Sequence, residues 1–145
     1  MPEPDTDCKF CQIVTGARPA RVVFENHATL AFLDHRPLFP GHCLLVPKRH
    51  VETLADLPED LAGPLFAAML KLARAVETAM QADGSFVAVN NRVSQSVPHL
   101  HVHVVPRRRK DGLRGFFWPR QKYESPEAMA QVRDAIRTAL ELQES

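Results

Sequence analysis

The sequence predicts an α+β domain built on an antiparallel sheet. Three observations carry this reading. Short apolar segments are separated by tight polar connections. One long segment carries an apolar stripe of helical period. That segment lies between the third and fourth strands, as in domains that lay a helix on an antiparallel sheet. A chain of 145 residues can close one domain around a real hydrophobic core.

Taken in order, residues 1–7 read as a flexible tail, and residues 8–145 as a single domain. Cys8 to Thr15 reads as a short helix stopped by Gly16. Two strands follow, Val22–Glu25 and Leu30–Asp34, with Asn26-His27 as the turn. Pro37, Pro40 and Gly41 mark a loop, and His42–Pro47 is the third strand. In the long helix, Asp56 is the expected cap, with Glu59 as its reciprocal partner. Leu61, Leu65, Met69, Leu72, Val76 and Met80 form its stripe, and Gly84 is the expected stop. Gly63-Pro64 suggests that its first turn is separate. Residues 85–90 and 99–105 complete a five-stranded sheet. A C-terminal helix over 125–142 is capped by Ser125, with Pro126 in its first position. Met129, Val132, Ile136 and Leu140 are its expected buried stripe.

Composition narrows the function classes. The net charge is +1, so no global field draws the chain to nucleic acid or to a membrane surface. No apolar run reaches the roughly 18 residues of a membrane span. The first residues are polar and lack a signal core, so a cytoplasmic location is expected. Three cysteines in such a chain argue against a disulfide framework. Cys8 and Cys11 form a C-x-x-C pair, a metal or redox candidate, whereas Cys43 lies in an apolar strand and is expected in the core.

The most informative segment is Pro98-His99-Leu100-His101-Val102-His103-Val104-Val105-Pro106. On a strand, side chains alternate between faces. His99, His101 and His103 then share one face, and Leu100, Val102 and Val104 point into the core. The prolines are expected to bracket the strand, where a missing N–H does least harm. Three uses of such a face are open. It can be a solvated polar surface. It can bind zinc, although the ends of the row lie about 13 Å apart at about 3.3 Å per residue, too far for one ion to take all three. Or it can be nucleophilic: a neutral imidazole attacks phosphorus near neutral pH while neighbouring imidazoles orient the phosphoryl group.

The pattern His-φ-His-φ-His-φ-φ at residues 99–105 resembles the histidine-triad family. Gln95-Ser96-Val97, Pro47-Lys48-Arg49-His50, Phe32-Leu33-Asp34 and Pro40-Gly41-His42 fit it in the same order. The resemblance spans roughly residues 8–110 and implies the histidine-triad fold: a five-stranded antiparallel sheet, one long helix, a short N-terminal helix and a C-terminal helix. It implies a nucleotide hydrolase that cleaves at the α-phosphate through a nucleotidyl-histidine. Dinucleoside polyphosphates and nucleoside phosphoramidates are the substrate classes. Catalytic roles fall on His101 as nucleophile and on His103, Ser96 and His99. Nucleotide contacts fall on Asp34, Asn90, Gln95 and His103, with the choice between Asn90 and Asn91 open. The resemblance also implies a structural zinc held by Cys8, Cys11, His50 and His99, as in bacterial members, and a homodimer acting on a purine nucleotide.

Two other classes stay open: a nucleotidyl transferase or phosphorylase, and a nucleotide-binding interaction module with vestigial catalysis. The segment after the triad is basic, with Arg107, Arg108, Arg109, Lys110, Arg114 and Arg120 around Phe116, Phe117 and Trp118. It reads as a solvated charged loop with an aromatic anchor in preference to a nucleic-acid surface. Cations near the site would favour substrates with extra phosphates.

Overall fold

The computed structural model describes residues 5–113 and 120–144. They fall into two units, one ending at Asp111 and one starting at Gly112. The first holds α1 (Lys9–Thr15), β1 (Val22–Glu25), β2 (Thr29–Leu33), β3 (Cys43–Pro47), α2 (Glu59–Ala79), β4 (Gly84–Val89) and β5 (Val102–Arg107). The second holds α3 (Pro126–Glu144). The strands form one sheet in the order β1-β2-β3-β5-β4, with antiparallel neighbours throughout. The expected architecture is therefore present: five antiparallel strands, one long helix, a short N-terminal helix and a C-terminal helix.

β2 and β3 read as continuous apolar runs because both sheet faces are covered. On one face, Leu65, Ala68, Leu72 and Val76 of α2 pack with Ala31, Cys43, Leu45, Leu100, Val102 and Val104. On the other, Cys8, Phe10 and Cys11 pack with Leu30, Phe32, Leu44 and Val46. Cys43 is core, as its strand position suggests. Cys8 caps α1 through its sulfur, and Gly16 ends the helix at φ 84°.

Several boundaries differ from the sequence reading. Asp56 does not cap α2. With Thr53 it closes a capping box on a separate 3₁₀ turn, Leu54–Asp56, and Pro58 occupies the N-cap of α2. α2 runs unbroken through Pro64. Near a helix start, proline leaves only one exposed carbonyl without its bond, that of Asp60. The helix ends at Ala79, and Gly84 instead opens β4.

β5 starts at Val102, so His99 and His101 lie on irregular backbone ahead of it. Pro106 lies inside the strand. The carbonyl of Arg107 accepts from Asp83 N at 2.9 Å on the β4 side. Pro106 therefore turns its nitrogen to the β3 side, past Val104, where pairing with β3 has already ended.

Ser125 caps α3 as expected, its hydroxyl accepting from Ala128 N at 3.0 Å. The apolar stripe of α3 is not buried: Met129 is 56% exposed, Val132 42%, Ile136 57% and Leu140 54%. The physical reason is that α3 is the one described element of its unit, and a lone helix has nothing within that unit to cover its stripe. Among the described residues, no helix is long and apolar enough to cross a membrane.

The β2–β3 connection is closed by Asp34 N to His42 O at 2.9 Å and His42 N to Phe39 O at 3.0 Å. Gly41 makes this closure possible. Its φ is +97°, and a Cβ there would lie 2.6 Å from Cγ of Met80 and 3.3 Å from Cγ of Pro106. Gly41→Ala should therefore lower unfolding free energy by about 1–3 kcal/mol through strain and overpacking. Urea denaturation checks this; a loss under about 0.5 kcal/mol, the scale of an ordinary surface change, would contradict it.

Candidate active site and metal centre

Pairing of β3 with β5 sets Leu44 opposite His103 and Leu45 opposite Val102. Val102 and Val104 face α2, so His103 takes the α1 face. His101 lies on the same side, 5.0 Å from His103 between ring centroids and edge-on to Phe10 at 5.0 Å. The period-two reading was thus right about the shared face, although the backbone of His99 and His101 is irregular.

That irregular backbone fixes the protons. A carbonyl oxygen can only accept, so the ring nitrogen facing it must carry hydrogen. His101 Nδ1 lies 2.7 Å from the carbonyl of His99. In the neutral ring, Nε2 of His101 is then the lone-pair nitrogen. His99 Nε2 donates to the carbonyl of Pro47 at 2.9 Å, which leaves its Nδ1 as a ligand atom. His42 works in the opposite sense: the amide of Leu38 donates to its Nδ1 at 3.1 Å. Its Nε2 must then donate to Nδ1 of His103 at 3.0 Å. His103 is left with Nε2–H, a donor. Adjacent imidazoles are thereby set as an acceptor at His101 and a donor at His103.

Burial keeps these rings neutral. It lowers the pKa of His42 and of His101 below the usual imidazole value. It takes His103 down to about 4, helped by repulsion from His101 and His42. His99 falls to about 4 for the same leading reason.

His101 and His103 line a cavity of about 1140 Å³ together with Asp34 and Ser96. Its apolar lining includes Phe10, Ile13, Phe32 and Val97. Asp34 Oδ1 accepts from the amide of Arg36 at 2.9 Å, and Oδ2 lies 3.7 Å from His42 Nε2. Other expected nucleotide contacts sit elsewhere. Gln95 accepts from Arg92 N at 2.8 Å and donates to the Glu52 carbonyl at 2.7 Å, so its amide ties the loop before the triad to the segment after β3. Asn91 caps the 3₁₀ turn, accepting from Leu54 N at 2.7 Å. Those bonds hold Arg92 and Ser94 at φ 68° and 60°, a left-handed backbone that costs energy without glycine. Asn90 is half-buried and, like Gln95, lies off the described lining of the cavity.

His99 points away from the cavity into a second cluster with Cys8, Cys11 and His50. These four residues bring one ligand atom each to within 4.8 Å of one another. Cys8 Sγ lies 3.4 Å from His99 Nδ1, Cys11 Sγ 3.3 Å from His50 Nδ1 and 3.5 Å from His99 Nδ1, and the two Nδ1 atoms are 3.2 Å apart. A tetrahedral zinc with bonds of about 2.3 Å to sulfur and about 2.0 Å to nitrogen sets edges of about 3.5 Å and 3.3 Å. The donor set and its spacings fit zinc. Burial, with smaller contributions from Cys8 and the Asp5 charge, pushes the Cys11 thiol up to about 11, an effect that a bound cation would reverse.

Asp34, His42 and His103 form another group with ligand atoms close together. The Leu38 amide argues against a cation there. It needs a lone pair at His42 Nδ1, which places the proton on the Nε2 that a metal would require.

His42 was the functional residue that spacing did not mark: it lies 61 residues from His103, and only the β3–β5 register joins them. In the described part of the basic stretch, Arg107 ends β5 and residues 108–110 follow it as a turn. Arg107 makes a forked pair with Asp111, at 2.6 Å and 2.9 Å. Arg108 donates to the Met80 carbonyl, and the amide of Arg109 to Asp83. None of these reaches the cavity lining described here. Arg114, Phe116, Phe117 and Trp118 lie outside the described residues.

The profile of the HIT domain family matches residues 15–110. A HIT-family protein of Bacillus subtilis of known crystal structure is 34% identical, with 91% of this chain and 96% of that one covered at a TM-score of 0.85. A zinc-bound histidine triad family protein from Mycobacterium smegmatis is 36% identical, covering 89% and 97% of the two chains at a TM-score of 0.71. An adenylylsulfatase of Arabidopsis thaliana is 33% identical over 109 residues, 74% of this chain and 55% of that protein. On the fold, the triad and these matches, the chain belongs to the HIT family.

Proposed function

We propose that the chain is a nucleotide hydrolase acting at the α-phosphate through a covalent nucleotidyl-His101 intermediate. The observation that carries this is the His101 Nδ1 bond to the His99 carbonyl at 2.7 Å. It leaves a lone pair on Nε2 of a neutral ring in the cavity wall, the state an attacking imidazole needs. Nε2 attacks the α-phosphorus and a P–N bond forms. The bond to the leaving group breaks with its electron pair, and the leaving group takes up a proton from solvent. Water then attacks the same phosphorus and returns a proton to solvent, the P–N bond breaks, and the lone pair returns to Nε2.

His103 Nε2–H donates to a non-bridging oxygen and stabilises its growing charge. Ser96 supplies a hydroxyl beside the leaving group, and Asp34 has the acceptors for ribose hydroxyls. Gln95 serves the site by shaping the loop that carries Ser96, and Asn90 remains a nucleotide contact in this reading. A transferase or phosphorylase would differ only in what replaces water. Support for hydrolysis of a nucleotidyl bond comes also from the adenylylsulfatase relative.

The metal cluster has a separate task in this reading. Cys8, Cys11, His50 and His99 would hold zinc, which would cross-link α1 to the sheet and add stability without entering the reaction. Purified protein should contain about one zinc per chain, and Cys8→Ala should lose the metal and melt several degrees lower. Protein with negligible zinc, and a Cys8→Ala melting temperature equal to wild type, would refute the assignment.

Rapid quenching with a substrate labelled at the α-phosphate tests the mechanism. The label should be acid-labile and map to His101. His101→Ala should lower kcat by about 10³-fold or more with nucleotide affinity little changed. Label on another residue, or full turnover by the variant, would overturn it.

A further inference from the structure

The cavity that holds His101 and His103 has more positive charge than one α-phosphoryl group requires. Among its described lining residues are four cations, Lys9, Arg18, Arg21 and Arg36, against one carboxylate, Asp34. They come from α1, from the segment that follows it, and from the loop after β2. Lys9, Arg21 and Arg36 have no ion pair and no side-chain hydrogen bond among the described residues. Arg18 spends only Nε, on Gln12 Oε1 at 3.0 Å.

Backbone bonds place two of these residues beside Asp34. The amide of Leu33 donates to the Arg21 carbonyl at 3.0 Å, and the amide of Arg36 donates to Asp34 at 2.9 Å. Asp34 in turn reaches His42, which holds His103. These contacts join His103, His42 and Asp34 to Arg21 and Arg36, and both arginines line the same cavity as His101 and His103. Unpaired cations in a concave wall raise the local potential and draw in anions. Guanidinium forks match phosphate oxygens in pairs.

We propose that the Lys9–Arg18–Arg21–Arg36 wall is a second anion subsite, and that the substrate carries a phosphate besides the one at the histidines. This rests on the nucleotide reading of the same cavity. The second phosphate can come from a polyphosphate chain or from a phosphorylated ribose, and both present the same chemistry to the wall.

Calorimetric titration separates these cases without turnover. AMP, ADP and adenosine 3′,5′-bisphosphate are titrated into the zinc-loaded protein at about 50 mM salt, where charge effects are weakly screened. At least one two-phosphate ligand should bind tenfold or more tighter than AMP, and which one gains identifies the source. The Arg21→Gln/Arg36→Gln double variant should erase that excess. If the double variant does not fold, Arg36→Glu alone should cut the excess several-fold. Equal affinity for all three nucleotides, no binding of any, or an excess that survives the substitutions would overturn the proposal. Equal affinities in a protein that still labels at His101 would remove only the second subsite. Tight two-phosphate binding without label would remove only the covalent mechanism.

Discussion

The capture of a ring hydrogen of His101 by the carbonyl of His99 is the contact on which the rest of the site depends. Three imidazoles in a row are chemically equivalent until something distinguishes their nitrogens. Here the backbone does so. The chain enters β5 on irregular backbone, which frees the His99 carbonyl from the sheet ladder and turns it to His101 at 2.7 Å. The Pro47 carbonyl fixes His99 in the opposite tautomer, with Nε2 protonated, and the Leu38 amide fixes His42 and through it His103. One ring is left with a free Nδ1, one with a free Nε2 and one with a donor Nε2–H, the states that the proposed ligand, nucleophile and donor need. In a buried setting these assignments are stable, because an unmade bond to a buried carbonyl or amide costs about 1–3 kcal/mol.

This arrangement needs both sheet faces. α2 fills one face with aliphatic side chains, among which Cys43 is buried. α1 covers the other, and it does three jobs within seven residues. Cys11 and the capping Cys8 meet His50 and His99; Phe10 packs edge-on against His101; Lys9 and Ile13 line the cavity. Anchoring α1 to the sheet therefore holds the wall of the cavity in place as well. His99 joins the two regions, since its ring belongs to the cysteine cluster and its carbonyl orients His101.

Much of this was legible from residue types. The stripe of α2, the helix stop at Gly16, the antiparallel sheet and the shared face of the histidines follow from local periodicity. The pairing of Cys8 and Cys11 with His50 and His99 was carried by family resemblance, since nothing in the spacing joins residues 91 apart. What stayed hidden depends on register or on competition between nearby partners. Asp56 reads as a helix cap until Thr53 claims it for the 3₁₀ turn. Gln95 also holds the Glu52 carbonyl, a bond between residues 43 apart that spacing does not announce. The stripe of α3 has helical period yet stands exposed, because periodicity shows which face is apolar and not whether a partner covers it. His42 and the cationic wall come from α1, the segment that follows it and the β2–β3 loop, far from the triad in sequence. Only the strand order brings them to it.

The tautomers are the centre of this account, and nitrogen-15 NMR of the histidine rings reads them directly. In the zinc-loaded protein near neutral pH, His101 should show a protonated Nδ1 and a lone-pair Nε2. His42 and His103 should show the reverse. A protonated Nε2 on neutral His101 would contradict the account, because that ring could not attack phosphorus without first losing the proton.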